Sequence, residues 1–218
     1  MELNLERLLP PTVVLSPRSQ LTTGRRYTRV THFPSRKNQA PIGCTALQHS
    51  DFCVHLEFDP RITHYVSRPC RLTLKESGQC YRPDFCSIFT DARLVFYEFS
   101  KPSDVILPSE KRRVAEQRRQ FGEAGIMLEI IALSAICQAQ KTQNLRYLYH
   151  HALRGSPSGA AAVRKAVLNG KSPRTSVCLL LAAGHSPEDI AYALFYQQIS
   201  ADLDRRFNLE TEVEVEVE

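Results

Sequence analysis

Tyr81-Arg82-Pro83-Asp84-Phe85-Cys86-Ser87-Ile88-Phe89 and, after a short interruption, Leu94-Val95-Phe96-Tyr97-Glu98-Phe99-Ser100-Lys101-Pro102 are the two runs on which the fold turns. Both are rich in aromatic or β-branched residues, the composition of a strand, and Asp91-Ala92 leads into the second. Asp84 opens the first strand and Glu98 stands near the end of the second. If the two strands are antiparallel neighbours, the carboxylates can converge on one spot. Side chains alternate along a strand, so Glu98 and Ser100 share a face while Phe99 and Lys101 point away.

Working outward, 62–68 and 72–75 read as further strands, with Ser77-Gly78 a turn before the run 80–89. Together with 94–99 they predict an antiparallel meander. Upstream, Phe52, Cys53 and Leu56 recur at helical spacing in 44–58, and Asp59-Pro60 closes that helix. His49 lies one turn before Phe52 and Cys53 and should point inward with them. Downstream, 109–123 is a charged amphipathic helix with Val114, Ala115 and Phe121 inward, and 126–133 reads as a buried strand. A helix, an antiparallel sheet, a second helix and one more strand predict an α/β fold, an α/β/α sandwich on a mixed sheet.

The flanks differ from this core. Residues 1–43 form a basic N-terminal arm: Pro10, Pro11, Pro17, Pro34 and Pro41 predict an extended or irregular path with a short strand at 27–31. Arg7, Arg18, Arg25, Arg26, Arg29, Arg36 and Lys37 are opposed there only by Glu2 and Glu6, a balance suited to a polyanion or to a solvated surface. At the other end, Gly155-Ser156-Pro157-Ser158-Gly159 marks a boundary, so that the core spans 44–153 and a small helical domain spans 154–218. Within it 160–168 is one helix, Ser172 caps a second reaching 183, and Ser186-Pro187-Glu188-Asp189 opens a third after Gly184, a winged-helix-like pattern. The tail Thr211-Glu212-Val213-Glu214-Val215-Glu216-Val217 alternates at period two; it can be a strand or wing, but a frayed acidic end is the favoured reading.

The 218-residue chain carries a formal charge of +5 and seven cysteines without a C-x-x-C pair, which argues against a zinc ribbon and a disulfide framework. No apolar run has the length of a membrane span, and Met1-Glu2-Leu3-Asn4-Leu5-Glu6 lacks the features of a secretory signal, so a cytoplasmic protein with no membrane partner is expected.

Phosphodiester hydrolysis needs a metal to generate hydroxide and to offset charge developing on the phosphate, and carboxylates supply its oxygen ligands. Asp84 and Glu98 are the candidate metal ligands in a P-D-x(n)-(D/E)-x-K pattern, whose lysine position is held here by Ser100. Three readings follow. Serine cannot replace an ammonium, so hydrolysis is lost or weakened; or Lys101 takes over through a bulge after Phe99; or Asp84 and Glu98 are ordinary strand acids.

Residues 28–102 resemble the TnsA family, the endonuclease subunit of Tn-seven-like heteromeric DNA transposases. The resemblance is carried by Phe33-Pro34-Ser35-Arg36-Lys37-Asn38, by 44–52, by Leu56-Glu57-Phe58-Asp59-Pro60, by 65–69, by Tyr81-Arg82-Pro83-Asp84-Phe85 and by Glu98 to Pro102. It implies a restriction-endonuclease-like core with a small helical C-terminal domain. It also implies that Asp84 matches a catalytic aspartate and ligand of Mg2+. Two other catalytic positions depart: His49 falls where the family's E-S-x-L-E motif ends in glutamate, and Glu98-Phe99-Ser100-Lys101-Pro102 stands for E-V-K-P. For His49 a core histidine is favoured over a metal ligand.

The expected function is therefore a TnsA-like subunit acting on double-stranded DNA at transposon ends, with a TnsB-like transposase and a TnsC-like ATPase as partners. Its catalysis is weakened or lost and its role architectural. The alternatives are an active divergent Mg2+-dependent endonuclease using Asp84, Glu98 and Lys101, and a DNA-binding regulator. Arg25, Arg26, Arg29, Arg36 and Lys37 are the candidate phosphate contacts, with Lys111, Arg112, Arg113, Arg118 and Arg119 a second patch.

Overall fold

A computed structural model of the chain describes residues 5–19, 29–100, 108–170, 172 and 174–215. Two compact units divide at Ser134 and Ala135. The first opens with a 3-10 turn, Leu5–Leu8, and continues through strands β1 (Val13–Pro17), β2 (Thr31–Ser35) and β3 (Ala40–Cys44), helix α1 (Leu47–Phe58), and strands β4 (Ile62–Ser67), β5 (Cys70–Leu74), β6 (Cys80–Tyr81), β7 (Phe85–Phe89) and β8 (Leu94–Phe99). Helix α2 (Pro108–Glu123) and strand β9 (Met127–Ile131) complete it.

The main sheet has the order β4-β7-β8-β9, with β4/β7 and β7/β8 antiparallel and β8/β9 parallel. A parallel neighbour requires a crossover, and α2 supplies it. Phe85, Tyr97 and Phe99 face α1, where Phe52 meets their rings at 5.4, 5.1 and 5.3 Å between centroids. By alternation Cys86 and Phe96 face the other way, into a core shared with Phe121 of α2 and with Leu72 and Tyr81. The mixed sheet with a helix on each face agrees with the α/β expectation. Strand β9 is only half-buried, with Met127 exposed, because it forms the sheet edge; Ala115 on α2 is exposed as well.

The meander differs from the expected one. Strand β5 does not pair with β4; it joins β1 and β6 in a separate antiparallel sheet, and the run 80–89 is cut at Arg82-Pro83-Asp84. Proline lacks an N–H, so neither Arg68-Pro69 nor Arg82-Pro83 can carry a ladder across the corner. The N-terminal arm is also more ordered than its prolines suggest. Strand β1 pairs with β5 from Val13↔Leu74 to Pro17↔Cys70, and β2 and β3 form a hairpin. A strand centred on 27–31 was expected; it begins instead at Thr31, and 20–28 lie outside the described residues.

The hairpin is tied to α1 by one buried acid. Glu57, 1% exposed, accepts from Ser35 Oγ at 2.8 Å, from Arg36 N and Lys37 N at 2.9 Å each, and from Tyr65 OH at 2.7 Å. Lys37 Nζ donates to Leu56 O at 2.9 Å and also to Asp59 O, satisfying carbonyls at the end of α1.

In the second unit, α3 (Leu133–Gln138), which spans the division, and α4 (Gln140–Ala152) precede α5 (Pro157–Leu168), strand β10 (Arg174–Ser176), α6 (Val177–Ala182), α7 (Pro187–Phe195) and strand β11 (Glu212–Glu214). The division falls before α4 rather than at 153/154 because α4 packs on α7, with Tyr149 and Phe195 stacked at 4.8 Å. Asn144 of α4 donates to Leu203 O at 2.8 Å and to Arg205 O at 2.6 Å, which fixes the loop ahead of β11. The alternating tail is not frayed over 212–214: β11 pairs with β10, Arg174 meeting Glu214 at 2.7 Å, and buried Val213 gives one face of the alternation a core to enter. Ser176, not Ser172, caps α6, and among the described residues no helix is long and apolar enough to cross a membrane.

Candidate functional site

The corner that interrupts both strand pairs is where the sequence placed its chemistry. Arg68, between β4 and β5, donates its N–H to Asp84 O at 2.6 Å, which pins the two bends together. Its φ of +48° is a left-handed conformation that costs a non-glycine residue roughly 1–2 kcal/mol. Arg68→Gly is therefore expected to leave thermal stability unchanged or raise it, whereas Arg68→Val should lower it by about 1–3 kcal/mol in urea unfolding. Equal melting behaviour of the two variants would show the bend to be unstrained.

Asp84 N–H donates to Tyr97 O at 2.9 Å, although Tyr97 is already the register partner of Phe85. Two successive residues thus oppose one, the geometry of a bulge, and such a step turns a side chain away from strict alternation. The Asp84 carboxylate accepts from Phe99 N–H at 2.9 Å and lies beside Phe85 and His49. Glu98, between the α1-facing Tyr97 and Phe99, points to the opposite face, where Tyr81 OH donates to it at 3.0 Å. Asp84 and Glu98 thus hold different partners, Phe99 N–H for the one and Tyr81 OH for the other, while both carboxylates act electrostatically on the Tyr81 hydroxyl. Ser100 continues the β8/β9 ladder through its N–H to Ile131 O at 2.9 Å, and its hydroxyl donates to the same carbonyl at 3.4 Å. The pairing of β8 with β9 stays in register through Phe99, and Lys101 lies outside the described residues.

His49 is half-buried and faces inward, 4.8 Å from Phe99 and 6.0 Å from Phe85 between ring centroids. Its Nδ1 is 3.1 Å from Thr45 Oγ1. Burial holds the imidazole below its ordinary pKa, with Asp84 acting in the opposite direction, so the ring is mostly neutral at pH 7.

Arg18, Thr45, His49, Ser67, Arg68 and Asp84 line a cleft of about 180 Å3, and Glu98 is not on its wall. Burial, then Arg68 and Arg82, lower the Arg18 guanidinium from its ordinary pKa, while Asp84 opposes them. This donor set fits a magnesium ion poorly. One carboxylate, with an oxygen already on a backbone N–H, stands among arginines and a largely neutral imidazole, whereas Mg2+ takes oxygen ligands in octahedral array. Among the described residues no three His, Cys, Asp or Glu side chains gather as a metal site.

The candidate phosphate contacts divide. Arg29 is exposed, and Arg25 and Arg26 lie outside the described residues. Arg36 is half-buried beside the Glu57 carboxylate. Lys37 is committed to α1: burial lowers its ammonium to about 8, against the opposing pull of Glu57 and Asp59. Of the second patch, Lys111, Arg112, Arg113 and Arg118 are exposed on α2, and Arg119 pairs with Glu116 at 2.6 Å and with Glu123.

Sequence reasoning missed Arg18 and Arg68 as site residues. The signal available was Arg68-Pro69 at a strand end, a mirror of Arg82-Pro83. A larger groove of about 540 Å3 in the second unit, between α4, α7 and 206–209, is walled mainly by apolar and amide side chains and offers no comparable constellation. Neither the protein-family models nor the curated proteins compared with the chain give a match.

Proposed function

We propose that the chain is a TnsA-like subunit of a DNA transposition complex, acting beside a TnsB-like transposase at transposon ends and holding DNA rather than cutting it. The order of α1, three antiparallel strands, α2 and a parallel fourth strand supports a restriction-endonuclease-like core. The short β10/β11 pair beside α5, α6 and α7 supports a winged-helix-like C-terminal unit. The observation that carries the architectural reading is the corner itself. Asp84 keeps its place at the strand junction, yet Glu98 turns to Tyr81, Ser100 is spent on Ile131 O and a mostly neutral His49 fills the third position.

The test is nicking of supercoiled DNA carrying transposon ends, by the purified chain with its partner transposase and Mg2+. The expected result is the transposase background alone, unchanged in Asp84→Ala and in Lys101→Ala, with end binding retained and falling with salt. Nicking that disappears in Asp84→Ala would overturn this in favour of a divergent nuclease. Sequence-specific binding by the chain alone would favour the regulator.

A further inference from the structure

We infer that the cleft at the strand corner is a binding site for a phosphate group of DNA, not for a divalent cation; this rests on the DNA-holding reading above. Arg18 and Arg68 project into one small cleft from the end of β1 and the end of β4, and among the described residues neither guanidinium makes a hydrogen bond or an ion pair. A guanidinium presents five donors and stays charged, so two of them without partners form a socket for a tetrahedral oxyanion. Thr45 and Ser67 place hydroxyls on the same wall, although Ser67 Oγ is engaged with Gly43 O at 2.7 Å. Among the described residues lining the cleft, Asp84 is the only acid opposing the positive charge. The backbone at Arg68 points the same way: a left-handed residue just before a proline is a position for glycine, yet an arginine is held there, as expected where the side chain has a use.

The phosphate and metal alternatives make opposite demands on one side chain. A carboxylate ligates a cation but repels a phosphate. Asp84→Asn keeps the shape and an oxygen to accept from Phe99 N–H, so it removes the charge and little else.

Binding of a fluorescein-labelled blunt duplex to the full chain is measured by anisotropy in EDTA, at fixed salt, with a 5′-phosphate or a 5′-hydroxyl. Inorganic phosphate binding is measured by calorimetry. Arg18→Gln and Arg68→Gly are each expected to weaken DNA binding about tenfold, the loss of a charge-assisted contact, while Asp84→Asn tightens it several-fold without metal. A dependence on the 5′-phosphate identifies the strand end as the ligand; indifference to it identifies an internal phosphodiester. DNA binding unaffected by both arginine variants, or strengthened when Mg2+ replaces EDTA in the unaltered chain but not in Asp84→Asn, overturns the site while leaving DNA holding intact. Arginine-dependent binding of inorganic phosphate without DNA binding overturns DNA holding and keeps the site.

Discussion

Glu57→Ala is expected to lower the stability of the fold by about 3–5 kcal/mol, read as a fall in the urea midpoint with little change in slope. The carboxylate is almost wholly buried and holds four donors at once: the Ser35 and Tyr65 hydroxyls and the Arg36 and Lys37 amides. Removing it strands those donors in the interior, where each costs about 1–3 kcal/mol when unpaired, less what water entering the space regains. It also takes away the carboxylate that most favours the charged form of the half-buried Lys37 ammonium, which keeps hydrogen bonds to the Leu56 and Asp59 carbonyls. Glu57→Gln keeps the volume but turns an amide NH2 toward groups that themselves donate, so about 2–4 kcal/mol is expected. A loss under about 1 kcal/mol for both variants would show the acid to be solvated, not the anchor of the β2/β3 hairpin on α1.

Gly159→Ala is the second large effect, at about 2–4 kcal/mol, because its added Cβ would lie 2.1 Å from the Asp189 carboxylate. Asp189 accepts from Ser156 N at 3.0 Å, from Ser156 Oγ at 3.2 Å and from Ser186 Oγ at 2.7 Å. Those serines are the N-caps of α5 and α7, so displacing the carboxylate loosens both helix starts, each cap being worth about 1 kcal/mol. Because the clash needs the Asp189 side chain, Gly159→Ala with Asp189→Ala should cost no more than Asp189→Ala alone. Simple additivity in that double-mutant cycle would place the clash elsewhere. The amide of Ser156, then the hydroxyl of Ser186, hold the Asp189 carboxyl below its ordinary pKa. Its stabilising contribution is therefore complete above the unfolded value near pH ~4 and is lost as pH falls through the lower folded value.

Ser186-Pro187-Glu188-Asp189 marks a helix start in the sequence, but that Asp189 is also held by the cap of α5 is decided by packing, since Ser156 lies 33 residues away. Glu57 is a similar case. Helical periodicity sets it off the face of His49, but nothing in spacing alone says that it lies inside, because its partners Ser35 and Tyr65 come from strands on either side of α1.

By itself the sequence determined the succession of helix, strands, helix and strand from α1 to β9, the strand character of the runs around Asp84 and Glu98, and the inward face of His49, but not β1, the β2/β3 hairpin, α3 or α4. These follow from periodicity, and periodicity is a local property of the backbone. Only the tertiary structure decided which side chains meet. Glu98 sits on β8 as its run predicts, but Asp84 stands just ahead of β7, where its carboxylate accepts from Phe99 N–H beside His49 while Glu98 accepts from Tyr81. Arg18 and Arg68 come from different segments and share a cleft because β1 pairs with β5 as far as Pro17↔Cys70, which brings Arg18 to the Arg68-Pro69 bend. Alternation is legible wherever a ladder is regular; where an extra residue or a missing N–H breaks it, the direction of a side chain is fixed by the packing around the break.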